Sequence, residues 1–131
     1  MARILIIEDE VDLTELYRLA LEGAGHEILG IFDDPEEALF QAVGRIDPEI
    51  IVLDERLRGR SGIAFLPGLR AAFPGARVLL ASADPDAVEV SVLRCADAAR
   101  KKPFPLGDLL EDIYTLIHTP APRKRCQETG T

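Results

Sequence analysis

The chain has 131 residues, with 15 basic and 23 acidic side chains and a net charge of −8. This length fits one domain, and a hydrophobic content of 47% argues against disorder. The acidic balance disfavours a nucleic-acid surface, and we expect neither a membrane segment nor a signal peptide. Two cysteines, Cys95 and Cys126, are too few for a disulfide framework and indicate a cytoplasmic protein.

Short apolar runs and helical patterns alternate along the chain. The apolar runs predict strands at 4–7, 28–32, 50–53 and 78–80. Gly25 is the expected stop of the first helix. The buried face of this first helix is predicted to consist of Leu13, Leu16, Tyr17, Ala20 and Ala24.

The second helix has a clear start, in which Asp34 caps, Pro35 takes the first position and Glu37 completes a capping box. We expect it to end near Val43. The third helix follows Gly62 and is the weakest, because Pro67 and Gly68 should shorten, kink or delay it.

The fourth helix repeats the capping device with Asp84 and Pro85. A short fifth strand is expected between Ala98 and Lys102, mainly because the alternation requires one. The last helix then carries a continuous apolar face. We predict one domain over residues 1–118 and a flexible tail over 119–131.

This alternation predicts an α/β fold, because right-handed strand–helix–strand crossovers produce a parallel sheet covered on both faces. Five units in about 118 residues fit a flavodoxin-like (βα)5 doubly wound sheet with strand order 2-1-3-4-5. Ligands of such sheets bind beyond the carboxyl ends of the strands, where the strand order reverses.

Three carboxylates are expected to converge at that edge: Glu8 and Asp9 after the first strand, and Asp54 at the end of the third. They would repel one another unless a cation intervened, and Mg²⁺ prefers oxygen ligands of this kind. Ser82 and Lys102 add a hydroxyl donor and a positive charge at the same edge. The group forms a site for a phosphoryl group, with Asp54 as the nucleophile.

These residues stand in segments that resemble the receiver domain of bacterial two-component response regulators over about 2–118. Four motifs carry the resemblance, and they occur in the family's order and spacing. They are the acidic pair after the first strand (4–10), the phosphoacceptor strand and its glycine loop (51–62), the switch segment (80–83) and the lysine–proline–phenylalanine segment (102–104).

The resemblance implies that Asp54 accepts a phosphoryl group from a histidine kinase or histidine phosphotransfer protein. It implies Mg²⁺ bound by Glu8, Asp9, Asp54 and the backbone carbonyl of Arg56. Ser82 and Lys102 would bind the phosphoryl oxygens. It also implies a cis peptide bond between Lys102 and Pro103.

No output domain fits in this length, so we expect a single-domain regulator that contacts an unidentified downstream protein. It would turn over no free substrate, and we expect neither nucleic acid nor a membrane among its partners. The fourth helix, fifth strand and fifth helix would form the output surface.

Three positions depart from the family pattern. Arg58 replaces the usual proline after the phosphoacceptor, Ala99 replaces the usual aromatic switch residue, and Cys95 replaces the usual glycine before it. Asp84 has two interpretations, as a helix cap or as a partner of Arg56 that shields the phosphoryl group. An alternative function is a phosphorylation-independent interaction module, which the departures at Ala99 and Arg58 favour.

Overall fold

A parallel five-stranded sheet organises the protein. The computed structural model describes residues 1–57, 59–93 and 96–118. Arg58, Cys95 and the predicted tail at 119–131 lie outside the described residues. The strands are β1 (Arg3–Ile7), β2 (Glu27–Phe32), β3 (Ile50–Asp54), β4 (Arg56–Leu57), β5 (Arg60–Ser61), β6 (Arg77–Ser82) and β7 (Ala98–Lys101).

The strand order of the main sheet is β2-β1-β3-β6-β7, with every neighbouring pair parallel. This is the predicted order 2-1-3-4-5, since the strands β4 and β5 form a separate two-stranded sheet. The helices are α1 (Val11–Gly23), α2 (Pro35–Ala42), α3 (Leu66–Ala72), α4 (Pro85–Leu93) and α5 (Leu106–Ile117), with a 3-10 turn (Ile63–Phe65) before α3.

The sheet is buried on both faces, which explains its uninterrupted apolar strands. Because successive strand residues point to opposite faces, Leu5 and Ile7 pack in one core cluster while Ile4 and Ile6 pack in the other. The first cluster includes side chains from α2 and α3, and the second includes side chains from α1 and α5. Among the described residues, no helix is long and apolar enough to cross a membrane.

Helix starts follow the predicted capping residues. Asp34 Oδ1 accepts a hydrogen bond from the Glu36 amide at 2.8 Å, and Pro35 opens α2. The Glu37 carboxylate accepts from the Gln41 side chain at 2.8 Å, so the structure provides no evidence for the predicted capping box. Helix α2 ends at Ala42, one residue before the expected end.

The third and fourth helices also begin as expected. Pro67 lies in the first turn of α3, where its missing N–H breaks no helical hydrogen bond, so the proline delays the helix without kinking it. Asp84 Oδ1 accepts from the Asp86 amide at 2.9 Å, which confirms Asp84 as the residue that caps α4.

The predicted buried face of α1 was wrong at Leu16, which is 48% exposed. It was also wrong at Ala24, which is exposed and lies just beyond the end of α1, whereas Tyr17 is buried as predicted, together with Thr14 and Leu21. Two rows of residues at helical spacing share Tyr17: the predicted row contains Leu16, and the other contains Thr14 and Leu21. The helix buries the second row. Burial of Thr14 is inexpensive because its hydroxyl donates to the Val11 carbonyl at 2.8 Å.

A small antiparallel hairpin, β4 and β5, lies between Asp54 and α3 and was not predicted. Arg56 pairs with Ser61 and Leu57 pairs with Arg60 across it. Leu57 is fully buried and anchors the hairpin in the core. Strands of two residues are too short to show an alternating pattern, so no pattern in the sequence predicts them.

Candidate functional site

The predicted site residues meet in one open cleft at the carboxyl ends of the strands. Glu8 follows β1, Asp54 ends β3, Ser82 ends β6 and Lys102 follows β7. The cleft has a volume of about 1070 Å³, and its lining also includes three further residues named from the sequence: Asp9, Arg56 and Asp84. Ala99 lies within β7 and does not line this cleft.

Three carboxylates form the centre of the cleft. Glu8, Asp9 and Asp54 each present an oxygen within 4.8 Å of the others. Glu8 and Asp54 are only 3% and 7% exposed. The Lys102 ammonium lies between these two, with its Nζ 2.7 Å from Glu8 Oε1 and 2.8 Å from Asp54 Oδ1. Among the described residues, the ammonium thus contacts two buried carboxylates at once.

The electrostatics of the cluster follow from this burial. Burial raises the pKa of both Glu8 and Asp54 above their ordinary values, and the Lys102 contacts only partly oppose the effect. The same contacts outweigh burial at Lys102 and raise its pKa, so the ammonium stays charged. The cluster favours a further cation.

Backbone contacts fix Glu8 in place. Its second oxygen, Oε2, accepts from the Asp9 amide at 3.1 Å and from the Glu10 amide at 3.3 Å. The Glu8 amide donates to the Phe32 carbonyl at 2.9 Å, which ties the end of β1 to β2. Lys102 is held similarly, since its amide donates to the Ser82 carbonyl at 2.8 Å.

Glu55 and Gly62 shape the loop behind Asp54, and the sequence had not assigned Glu55 a role. The Glu55 carboxylate accepts from the Ser61 hydroxyl at 2.5 Å and from the Ile63 amide at 2.9 Å. A Cβ on Gly62 would lie 2.1 Å from the Asp54 carbonyl oxygen, so only glycine fits there. The glycine in the phosphoacceptor motif was the signal for this close approach.

The Ser82 hydroxyl accepts a hydrogen bond from the Asp84 amide at 3.0 Å, so it shapes the turn into α4 while lining the cleft. The predicted ion pair between Arg56 and Asp84 is absent from the contacts of the described residues. The Asp84 carboxylate caps α4 instead. Arg56 is exposed at the mouth of the cleft.

Arg60 ties the hairpin to α2. Its guanidinium contacts Glu36 at 2.7 Å and Asp34 at 3.4 Å, and lies 5.0 Å from the centre of the Phe65 ring. These exposed contacts contribute little individually, but together they hold the segment beside Asp54 against the start of α2.

The donor set suits a hard divalent cation. Carboxylate oxygens are the ligands that Mg²⁺ prefers, and three of them within 4.8 Å leave room for water or phosphate oxygens. The peptide bond between Lys102 and Pro103 is cis, as the resemblance implies.

A family model described as the response regulator receiver domain matches residues 4–114. The chain belongs to this family. Receiver domains act in two-component systems, where they interact with histidine kinases and downstream effectors.

Curated relatives include regulators of mycobacteria. MtrA of Mycobacterium tuberculosis, described as a DNA-binding response regulator, is 32% identical over 113 residues, which is 85% of this chain and 48% of that protein. The probable transcriptional regulatory protein TcrX of the same organism is 32% identical over 117 residues, covering 87% of this chain and 49% of TcrX. This chain thus spans about half the length of the curated relatives it matches.

Solved structures give the same fold. NtrX of Brucella abortus is 28% identical with a TM-score of 0.79, covering 88% of this chain and 27% of NtrX. A CheY-like receiver domain protein of Methanospirillum hungatei is 25% identical with a TM-score of 0.77, covering 89% of this chain and 94% of that one. This likeness confirms the predicted flavodoxin-like receiver fold.

Proposed function

We propose that this receiver domain accepts a phosphoryl group on Asp54 from a histidine kinase or histidine phosphotransfer protein, in a reaction that requires Mg²⁺. The observation that carries the proposal is the cluster of three carboxylates with one ammonium between Glu8 and Asp54. A phosphoryl group needs positive charge around it, and this cleft combines a nucleophile, a cation site and a lysine.

The chemistry assigns each residue one task. A carboxylate oxygen of Asp54 attacks the phosphorus, the bond from phosphorus to the donor's imidazole nitrogen breaks, and its electron pair leaves with the imidazole. Lys102 then donates to the phosphoryl oxygens, together with Ser82 once its hydroxyl turns from the Asp84 amide. Hydrolysis of the acyl phosphate restores Asp54.

Glu8, Asp9 and Asp54 would hold the Mg²⁺ with the backbone carbonyl of Arg56. When bound, the ion neutralises charge on the carboxylates and on the transferred group. Glu8 is already oriented for this by the two amides that bind its Oε2. The domain catalyses only its own phosphorylation and dephosphorylation, without turnover of a free substrate.

The output would be a contact with a downstream protein through α4, β7 and α5. Ala99 in β7 has no side chain that could rotate in response to Ser82, so the signal would leave the site through residues 82–88, which are the turn after β6 and the start of α4. A domain that uses this surface without phosphorylation is the alternative function, and Ala99 is the observation that favours it.

Intact-mass measurement after incubation with acetyl phosphate and Mg²⁺ tests the proposal. The wild type should gain the mass of one phosphoryl group, and Asp54→Asn should gain none, because the amide cannot attack phosphorus. Asp47→Asn is the matched control, since Asp47 is exposed and far from the cleft. No gain in the wild type would favour the interaction module, and an undiminished gain in Asp54→Asn would exclude Asp54 as the acceptor.

A further inference from the structure

Tyr17 of α1 carries a phenol hydroxyl for which packing gives no reason. The residue is 1% exposed, and its Oη has no hydrogen-bond partner among the described residues. Buried hydroxyl groups in folded proteins are normally hydrogen-bonded, and a phenylalanine would fill the same space without this cost. The hydroxyl is therefore a buried hydrogen-bonding group that the packing of the described residues does not use.

The charges around the phenol belong to the candidate site. Burial raises the pKa of Tyr17 to about 12, so the hydroxyl keeps its proton under physiological conditions. The strongest charge acting on it is that of Lys102, followed by those of Glu8 and Asp54. The hydroxyl thus lies within electrostatic reach of the carboxylate cluster, although it does not line the cleft.

The ring of Tyr17 also contacts the segment that carries Lys102. It stacks on Phe104 with the ring centres 6.3 Å apart and the planes at 18°. Phe104 is two residues beyond Lys102, across the cis peptide bond. The tyrosine ring therefore packs against the loop after β7.

Lys102 needs a new acceptor when a cation enters the site. Its two oxygen partners, Glu8 Oε1 and Asp54 Oδ1, belong to residues of the cation cluster. An ammonium has three N–H donors, and this one is partly buried. A phosphoryl oxygen can satisfy one donor, and Tyr17 Oη is a buried oxygen still without a partner.

We propose that Tyr17 is a positioning residue for Lys102. With Mg²⁺ at the carboxylate cluster, the Tyr17 hydroxyl oxygen accepts a hydrogen bond from the Lys102 ammonium and holds it toward the phosphoryl group on Asp54. The inference rests on the proposed function for its catalytic consequence, while the hydrogen bond itself depends only on the cation.

The tyrosine spectrum tests the hydrogen bond directly. The chain has two tyrosines and no tryptophan, so Tyr114→Phe leaves Tyr17 as the single tyrosine. Tyr114 is a suitable control because it is 64% exposed and packs on His118 of its own helix end. Titration of Tyr114→Phe with Mg²⁺ should shift its near-ultraviolet tyrosine absorbance saturably, whereas Tyr17→Phe, which reports only Tyr114, should show no shift.

Adding Lys102→Ala to Tyr114→Phe identifies the partner. The shift should disappear, because the ammonium that donates to the phenol is gone. A spectrum of Tyr17 that does not respond to saturating Mg²⁺ would overturn the proposal. A shift that persists without the lysine would also overturn it, since the partner would then be another group.

The rate of phosphorylation gives a second, independent measurement. With acetyl phosphate and Mg²⁺, Tyr17→Phe should gain mass about tenfold more slowly than the wild type, the size expected for one hydrogen bond to a charged group. Tyr114→Phe should react at the wild-type rate, and Tyr17→Phe should unfold at no lower urea concentration than the wild type. Equal rates for the two variants would contradict the proposed role. If no form gains mass, the phosphorylation proposal fails, and the Mg²⁺ titration still decides the hydrogen bond.

Discussion

Two partly buried charge clusters lie at opposite ends of the sheet. At the amino ends of β6 and β7, Arg70 binds Asp97 through two hydrogen bonds of 2.6 and 3.2 Å. The Val78 amide also donates to Asp97 at 2.8 Å, and Arg70 donates to the Ala76 carbonyl at 3.0 Å. At the carboxyl ends, Lys102 faces Glu8, Asp9 and Asp54.

The two clusters differ in charge balance. The Arg70–Asp97 pair is one cation with one anion, and backbone groups provide further hydrogen bonds to both. At the carboxyl ends one ammonium contacts two buried carboxylates, and burial raises the pKa of Glu8 and Asp54 because their charged forms are disfavoured there. We infer that the balanced pair stabilises the fold, whereas the cluster with more carboxylates than cations binds an added cation.

The largest effect is expected at the balanced pair. Asp97→Ala leaves the partly buried Arg70 guanidinium and the Val78 amide without their acceptor, and should lower the free energy of unfolding by about 3 kcal/mol. Because this cluster has no place for a metal, Mg²⁺ should not reduce the loss. Urea denaturation with and without Mg²⁺ measures both quantities.

Lys102→Ala is the counterpart at the other end of the sheet. Without metal it should lower the free energy of unfolding by about 2 kcal/mol, because Glu8 and Asp54 lose their counter-charge. Mg²⁺ should recover most of this loss, since the ion replaces the missing positive charge. If Mg²⁺ rescued both variants equally, or neither, the distinction between the two clusters would be wrong.

Gly62→Ala should disturb the unbalanced cluster through the backbone. The new Cβ would lie 2.1 Å from the Asp54 carbonyl oxygen, so the loop must move. We expect a loss of about 1–3 kcal/mol in the free energy of unfolding and slower mass gain from acetyl phosphate.

Gly107→Ala is the matched control for that change. Nothing lies within 4 Å of a Cβ at Gly107, which is in the first turn of α5. Alanine favours the helix there, so stability should rise by about 0.5–1 kcal/mol. If both glycine variants behaved alike, the close approach at Gly62 would not matter.

The smallest expected effect is a pH dependence of the metal-free protein. Because the pKa values of Glu8 and Asp54 are raised, the folded chain binds their protons more tightly than the unfolded chain does. Their contribution to stability is present at low pH and is lost as the pH rises through the folded pKa values.

The free energy of unfolding of the wild type, measured relative to Glu8→Gln, should therefore fall as the pH rises above about 4.5. Saturating Mg²⁺ should remove this trend. Glu111→Gln, an exposed change on α5, is the control and should follow the wild type. A relative stability that rises with pH would contradict the unfavourable burial of these carboxylates.

Four strands of the main sheet were predicted because their continuous apolar runs are typical of strands buried on both faces, whereas β7 was predicted mainly because the alternation required a fifth strand. The sequence predicted the starts of α2 and α4 because Asp34 and Asp84 act locally, through amides two residues away. Leu16 shows the limit of that reasoning. Two rows of residues at helical spacing include Tyr17, and only the packing of the whole helix against the sheet determines which of them is buried.

The candidate site divides in the same way. Glu8, Asp54 and Lys102 were predicted together because strand ends in a parallel sheet converge at one edge. The partners of Tyr17 and Glu55 could not be predicted, since they depend on the positions of α1 and of the hairpin in three dimensions. Of the two interpretations of Asp84, the structure shows the helix cap, through the nearby Asp86 amide, and the pairing with Arg56 stays a prediction.

The measurement that tests the central claim most directly is the Mg²⁺ dependence of thermal unfolding. The unbalanced cluster predicts that the Tm of the wild type rises continuously with the logarithm of Mg²⁺ concentration, because only the folded chain binds the ion. Without metal, the double variant Glu8→Gln with Asp9→Asn should have a Tm at least as high as that of the wild type. On addition of Mg²⁺, its Tm should rise much less than the wild-type Tm does. A wild-type Tm that does not change with Mg²⁺ concentration would contradict the account. So would an increase in Tm of the double variant that is as large as that of the wild type.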